Sequence, residues 1–192
     1  MKVLVIFAVE REIVNINIPG SEVVTALSGV GKARAAMTAM KYILQEKPDV
    51  VLSVGTAGTL IHNVGDIFVC RHIIDRDFYK EKETLNLPCE IVVPENEFIR
   101  SFYSVVSGKK VNRTDFTVSC GDNFVTDVEN SKEDVVDMES YAEYCACESQ
   151  GIPFFAVKYV TDVIGKNSID IWENRLSKAR KELQKYFEDI FC

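Results

Sequence analysis

Three acidic residues could do chemistry, and two of them lie where predicted strands end. Glu12 belongs to the charged trio Glu10-Arg11-Glu12, which follows one apolar run, and Asp162 follows another. Glu139 stands at the start of a predicted helix, where the helix dipole favours an acidic side chain in any case. A carboxyl group beside a buried strand is costly unless it is partnered or functional. These three residues predict a site for acid–base chemistry by carboxyl groups.

Other catalytic and phosphate-binding patterns fail on their spacing. The segment Gly29-Val30-Gly31-Lys32 resembles part of a phosphate-binding loop, but Ala26 stands where that loop needs its first glycine and Ala33 where it needs Ser or Thr. A dinucleotide-binding fingerprint fails because Arg34 takes the place of its third glycine. The chain has no G-x-S-x-G elbow and no H-E-x-x-H pattern. With two histidines in the chain, a Ser-His-Asp site would arise only by chance.

The cysteines indicate neither a metal site nor a disulfide framework. Six are present, none forms a C-x-x-C pair, and Cys145-Ala146-Cys147 lacks a second pair at zinc-site spacing. Reduced thiols in a buried core are the ordinary interpretation for a cytosolic protein. We therefore expect no metal ion and no organic cofactor.

Predicted strands and helices alternate along the chain, which is the pattern of an α/β fold. Strands are predicted over residues 2–8, 22–27, 50–54, 66–74, 116–119 and 154–160. Helices are predicted from the glycines at 29 and 31 to about Glu46, over residues 95–106 and 138–150, and from Ser168 onward. We expect a three-layer α/β/α sandwich with a central mixed, twisted sheet. Ligands of such sheets bind beyond the carboxyl ends of the strands, where Glu12, residues 55–58, residues 120–124 and Asp162 lie.

Apolar residues at helical spacing identify the expected inward faces of the helices. In the first helix they are Ala33, Ala36, Met37, Met40 and Leu44. In the helix over residues 138–150 they are Met138, Tyr141, Ala142, Cys145 and Ala146. In the last helix they are Trp172, Leu176, Ala179, Leu183, Phe187 and Ile190.

The composition excludes some partners. The chain of 192 residues has the length of one domain, and its net charge of −7 disfavours a nucleic-acid backbone or an anionic membrane surface. The apolar run at the start is too short for a signal peptide or a membrane span, and no other run is longer. We expect a cytoplasmic protein that binds neither nucleic acid nor membrane.

Six segments, each weak when taken singly, occur in the order of one known family. They are Phe7-Ala8-Val9-Glu10-Arg11-Glu12, Ser28-Gly29-Val30-Gly31-Lys32, Val54-Gly55-Thr56-Ala57-Gly58, Ser119-Cys120-Gly121-Asp122-Asn123-Phe124-Val125, Val136-Asp137-Met138-Glu139-Ser140 and Val160-Thr161-Asp162-Val163. Together they resemble the methylthioadenosine/S-adenosylhomocysteine nucleosidases, within the superfamily of purine nucleoside and uridine phosphorylases. The resemblance implies one nucleoside phosphorylase-like catalytic domain over residues 1–192 that hydrolyses the N-glycosidic bond of an adenine nucleoside.

The resemblance also implies which acidic residues take part in that reaction. Cleavage of a glycosidic bond develops positive charge on the ribose, and the departing purine needs a proton. By the family match, Glu12 is the base that activates water and Asp162 is the general acid. Glu139 binds the ribose hydroxyls, where a carboxylate also stabilises the developing charge.

Further residues of the implied site bind or orient the substrate. Met138 packs on the sugar, Phe124 stacks on the purine, and the backbone of Val125 hydrogen-bonds the edge of the base. Thr161 orients Asp162, and Thr56 lies near the attacking water. The family also implies a homodimer.

Two residues depart from the family pattern, and two short stretches make this a shortened member with an open substrate specificity. Lys158 stands where an arginine is usual and Asp137 where a glutamate is usual. The stretches from Glu12 to Ser28 and from Ile74 to Val118 are short, and the second helps to build the pocket for the 5′ substituent in the family.

Three alternatives remain open at the level of the sequence. They are a phosphate-dependent purine or uridine nucleoside phosphorylase, a futalosine hydrolase and a non-catalytic nucleoside-binding relative. Glu12 favours water over phosphate as the nucleophile. Asp162 favours an adenine nucleoside, because futalosine hydrolases resemble this pattern but have an asparagine there, which cannot donate a proton.

Overall fold

The strands of the computed structural model form one mixed sheet that is flanked by helices. The structure describes residues 1–125, 133–165 and 168–191, and within them ten strands and five helices occur. The strands are β1 Lys2–Phe7, β2 Glu22–Leu27, β3 Val50–Thr59, β4 Ile67–Asp75, β5 Glu90–Val92, β6 Ser104–Val106, β7 Lys109–Val111, β8 Phe116–Cys120, β9 Val135–Asp137 and β10 Phe154–Val163. The helices are α1 Lys32–Glu46, α2 Lys82–Leu85, α3 Glu97–Arg100, α4 Ser140–Glu148 and α5 Ser168–Phe191.

The pairing of the strands brings β3 and β10 to the centre of the sheet. β1 pairs in parallel with β2 and β3, and β10 pairs in parallel with β3 and antiparallel with β4. β4 and β9 both pair in parallel with β8, and Gly58 of β3 meets Val136 of β9. The strands β3, β9, β8, β4 and β10 therefore pair in a closed circuit, and residues of β3, β9 and β10 line a cavity beside it.

Two apolar clusters on opposite faces of the sheet form the core. Alternate residues of a strand point to opposite faces. Val5 and Phe7 of β1 pack with Leu183 and Phe187 of α5, whereas Ile6 packs on the other face with Ala39 of α1 and Ala146 of α4. This arrangement confirms the predicted three-layer α/β/α sandwich with a mixed central sheet.

The predicted inward face of α1 is wrong for most of its residues, although Met40 does pack against the core. Its buried residues are Ala35, Ala39 and Ile43, whereas Met37 is 74% exposed and Leu44 is 59% exposed. Both sets have helical spacing, so periodicity alone could not choose between them. The face with two alanines packs inward because small side chains let α1 approach the sheet and α4 closely.

The helix predicted over residues 95–106 is also mostly wrong. The helical part is limited to α3, where the side chain of Asn96 accepts a hydrogen bond of 2.9 Å from the backbone N–H of Ile99. The chain then forms a hairpin of β6 and β7. Ser107 and Gly108 connect these strands, both with positive φ, as a two-residue turn of this kind requires.

Two strands are longer than predicted, and their extra residues carry the site. β3 continues through the glycine segment 55–58, and β10 continues through Thr161 and Asp162, because the two extensions pair with each other. A register shift between Val160 and Asp162 marks a bulge. Bulges re-aim side chains next to functional sites.

Helix α4 is shorter than predicted and exposes one residue that was expected to face inward. Residues 135–137 form β9, so the helix begins at Ser140 and not at Met138. Cys145 is exposed, and Glu143 is buried instead. An acidic residue on the inward face was not expected, since carboxyl groups rarely occupy buried positions.

No helix in the described ranges is both long and apolar enough to cross a membrane.

Candidate active site

A cavity of about 210 Å³ lies beside the ends of β1, β3, β9 and β10. Seven of the eight residues predicted for the site line it: Glu12, Thr56, Phe124, Val125, Met138, Glu139 and Asp162. Thr161 is buried behind the wall and contacts the cavity through Asp162. Segments that are far apart in the sequence therefore meet at one place.

Glu12 is held at the cavity by one of its two carboxylate oxygens. A short 3-10 turn, Glu10–Glu12, follows β1 and buries this side chain. Oε1 accepts a hydrogen bond of 2.9 Å from the backbone N–H of Thr56 and another from the Thr56 hydroxyl, to which the Trp172 indole donates at 2.8 Å. Burial raises the pKa of Glu12, which suits a group that must accept a proton near neutral pH.

Asp162 is fixed by its neighbour in the bulge of β10. The hydroxyl of Thr161 donates to Oδ1 of Asp162 at 2.9 Å, and Arg175 of α5 donates to the carbonyl of Thr161 at 2.7 Å. A Cβ on Gly58 would lie 3.3 Å from Oδ2 of Asp162, which is tighter than an ordinary contact. Glycine at this position therefore gives the carboxyl group its room.

Glu139 binds two backbone N–H groups at the edge of the cavity. It precedes α4, and its Oε1 and Oε2 accept hydrogen bonds from the backbone of Gly31 at 2.9 Å and of Met138 at 3.3 Å. Burial and the nearby charge of Asp137 raise the pKa of Glu139. Gly31 has a φ of +98°, which favours glycine. The glycine segment that resembled a phosphate loop thus serves to orient a carboxyl group.

Aromatic and apolar side chains form another part of the wall. Phe124, Val125 and Met138 line the cavity with Trp172, and the rings of Phe124 and Trp172 lie 6.2 Å apart, inclined at 64°. The sequence predicts that Trp172 faces the core, and in the structure it lines the cavity. Such a wall suits the flat face of a nucleobase.

Arg76, a residue that the sequence did not single out, lines the cavity and supports this wall. Its guanidinium donates to the carbonyl oxygens of Ser119, Asp137 and Gly121 at 2.8, 2.8 and 2.9 Å, and also to that of Asn123. These bonds connect β8, β9 and the segment that ends at Phe124. All four of these acceptors are backbone carbonyl groups, so the guanidinium positions the wall.

A buried ion pair lies at the floor of the cavity. Lys158 is 3% exposed, and its ammonium lies 2.8 Å from Asp137 and donates to the Ser53 hydroxyl at 3.0 Å. The ammonium lowers the pKa of Asp137 in spite of burial, and the carboxylate raises the pKa of Lys158. The sequence marked both positions as departures from the family but gave no sign that they pair.

Lys158→Met is expected to lower the free energy of unfolding by about 3 kcal/mol, because it leaves Asp137 buried without its cation. Urea unfolding followed by circular dichroism at pH 7 measures this loss. The matched control is Lys2→Met at the exposed pair with Glu22, where the loss should be much smaller. Equal losses in the two variants would contradict a stabilising role for the buried pair.

Comparison with a family model and with curated proteins points to the same superfamily in each case. The model of the phosphorylase superfamily matches residues 6–191. The 5′-methylthioadenosine/S-adenosylhomocysteine nucleosidase of Bacillus licheniformis is 30% identical in an alignment 179 positions long, which covers 84% of this chain and 77% of that protein. The nucleosidase of the same name from Bacillus pumilus is 27% identical in an alignment 215 positions long, which covers 93% of each chain.

Solved structures share the fold. An S-adenosylhomocysteine nucleosidase from Streptococcus pyogenes, in complex with 5-methylthiotubericidin, superposes with a TM-score of 0.82 at 20% identity, over 100% of this chain and 95% of that one. Futalosine hydrolase of Helicobacter pylori superposes with a TM-score of 0.79 at 19% identity, over 98% and 96%.

Proposed function

The chain belongs to the phosphorylase superfamily, and on that premise we propose that it hydrolyses the N-glycosidic bond of an adenine nucleoside, such as methylthioadenosine or S-adenosylhomocysteine. One observation carries the proposal: the carboxyl groups of Glu12, Glu139 and Asp162 line a single cavity that also has an aromatic wall. The two curated relatives above are nucleosidases for these substrates.

The three carboxyl groups match the needs of the reaction. The bond between C1′ and N9 breaks with its electron pair going to the purine, and Asp162 donates a proton to N7. Glu139 accepts hydrogen bonds from the ribose hydroxyls while positive charge develops on the sugar. Water then bonds to C1′, and its proton passes to Glu12. Phe124 stacks on the purine, Met138 packs on the sugar, and the backbone of Val125 binds the edge of the base.

Water as the nucleophile, rather than phosphate, is supported by the charges around Thr56. A phosphate site needs arginines that are free to bind it, but Arg76 binds backbone carbonyls and Arg11 is exposed and donates to the carbonyl of Glu173. Lys158, the other cation of the cavity wall, pairs with Asp137. Glu12 instead places an acidic group beside Thr56, which would repel an anion.

A panel of nucleosides tests the proposed substrate class. Purified protein is incubated with methylthioadenosine, S-adenosylhomocysteine, futalosine, inosine and uridine, and the released base is measured by chromatography. We expect adenine from one or both of the first two and no hypoxanthine or uracil. Nucleoside binding in calorimetry without release of any base would instead support a non-catalytic relative.

Phe124→Ala is expected to raise KM for the nucleoside about tenfold with a smaller change in kcat, because stacking on an aromatic ring stabilises a bound base in the ground state. Steady-state kinetics of adenine release measures both constants. Phe124→Tyr keeps the ring and should keep KM near the wild-type value. A tenfold rise of KM in both variants would show that Phe124 supports the fold and does not stack on the base.

A homodimer in the cytoplasm is part of the same proposal. The exposed Met37 and Leu44 of α1 support it, because a second copy would remove these apolar side chains from water. The free cysteines of the described chain suit a reducing compartment. Release of adenine from methylthioadenosine would place the enzyme in nucleoside catabolism and methionine salvage. Light scattering after size-exclusion chromatography measures the oligomeric state.

A further inference from the structure

The floor of the cavity holds an additional carboxyl group to which the proposed reaction assigns no role. Glu143 of α4 is 1% exposed and lines the cavity together with Glu12. It lies one helical turn after Glu139, so the same end of α4 directs both side chains towards the site. A buried carboxyl group in such a place needs a physical explanation.

Glu12 and Glu143 share an unusual property. Among the described residues, three buried side-chain oxygens have no hydrogen-bond partner, and two of them are Oε2 of Glu12 and Oε2 of Glu143. A buried carboxylate oxygen without a donor is costly, because it has lost water and gained nothing in exchange. One proton held between the two groups would supply the missing donor for both.

The charges around Glu143 disfavour its ionisation while Glu12 is ionised. The charged and titratable groups around it are Lys158 of β10, Asp137 of β9, Glu12 of the 3-10 turn, and Glu139 and Cys147, which lie four residues before and four residues after it in the sequence. Lys158 is the one cation among them, and Asp137 already pairs with it. Two further ionised carboxylates that line the same cavity would repel, so we expect one of them to retain its proton.

The local hydrogen bonds decide which of the two carries the charge. Thr56 donates to Glu12 from both its backbone and its hydroxyl, which stabilises the ionised form of Glu12. Burial raises the pKa of Glu143 to about 7, in spite of the opposing effects of Lys158 and the Ser53 hydroxyl. Glu143 is therefore the group that is better able to stay neutral.

We propose that Glu143 is a positioning residue for the proposed base: it retains a proton and donates it in a hydrogen bond to Glu12, so that the two carboxyl groups hold one proton between them. Glu12 remains ionised and takes the proton of the attacking water, while Glu143 keeps its own. This inference rests on the proposed hydrolysis. Similar pairs of carboxyl groups that share a proton occur in other hydrolases.

Two substitutions separate the proton of Glu143 from its charge. Glu143→Gln keeps a hydrogen-bond donor without charge, so kcat should stay within about threefold of wild type and the acid limb of the pH profile should not move. Glu143→Leu removes the donor. The pKa of Glu12 should then rise, the acid limb should move to higher pH by about one unit, and kcat at pH 7 should fall about tenfold while KM changes little.

The controls keep the test decisive. Glu148→Leu changes an exposed residue of the same helix and should leave kcat and the pH profile unchanged. If the wild-type protein has no nucleosidase activity, the proposed function itself is contradicted. With an active wild type, an unshifted acid limb in Glu143→Leu, or a kcat of Glu143→Gln more than tenfold below wild type, would overturn the role of Glu143. If the leucine variant does not fold, the glutamine variant alone decides.

Discussion

Asp162→Asn is expected to lower kcat for adenine release by about 10²- to 10⁴-fold, the usual contribution of a positioned general acid. The amide keeps the size of the side chain, and its carbonyl oxygen can still accept the hydrogen bond from Thr161. It has no acidic proton for N7 of the purine. The fold should survive, and KM should change much less than kcat.

The measurement is steady-state release of adenine from methylthioadenosine by wild type, Asp162→Asn and Asp170→Asn. Asp170 is an exposed residue in the first turn of α5, so its variant makes the same chemical change outside the cavity and should keep full activity. Circular dichroism and thermal unfolding show whether both variants are folded. Undiminished turnover by a folded Asp162→Asn would rule out the proposed general acid.

Glu12→Gln is expected to lower kcat by a similar 10²- to 10⁴-fold, because glutamine cannot take the proton of the attacking water. Its carbonyl oxygen can accept the hydrogen bonds that Thr56 donates to Glu12, so the cavity should keep its shape. The loss should appear in kcat, with the nucleoside still bound. Calorimetry of the variant with methylthioadenosine measures that binding directly.

Glu10→Gln is the matched control, since Glu10 belongs to the same 3-10 turn but is exposed. It should behave as wild type in kcat and in KM. If both glutamine variants lost activity equally, the effect would come from the turn and not from a base. If neither did, Glu12 would have no part in activating the water.

The sequence predicted the sheet better than the helices. β2 has the predicted bounds, Glu22–Leu27, and β1 and β8 end within one residue of the prediction. Strands of this kind are recognisable because β-branched residues cluster in short apolar runs. In α1, by contrast, alanines and larger apolar residues form two stripes at the same spacing, and the choice between them depends on how closely the helix packs.

The sequence predicted those parts of the site in which the functional residues are neighbours along the chain. The structure brings the segments around Glu12, Phe124, Glu139 and Asp162 to one cavity, although their chemical roles remain predictions. β3 and β10 extend beyond their predicted ends because they pair with each other. A single sequence does not show pairing between segments so far apart.

The ion pair and the additional carboxyl group could not be predicted from local pattern. Lys158 and Asp137 come from different strands, and the Ser53 partner of Lys158 is 105 residues away in sequence. Glu143 is not among the residues that helical spacing places on the inward face of its helix, yet it is buried. Long-range contacts of this kind determine which charged residues are buried. Exceptions to the local sequence preferences are expected at functional sites.

The release of adenine from methylthioadenosine in phosphate-free buffer tests the central claim most directly. The account predicts one adenine and one free methylthioribose for each substrate consumed, at a rate that added inorganic phosphate does not raise. Release that requires phosphate and yields a sugar 1-phosphate would contradict hydrolysis. No release of adenine from either methylthioadenosine or S-adenosylhomocysteine by folded wild-type protein would contradict the proposed function as a whole.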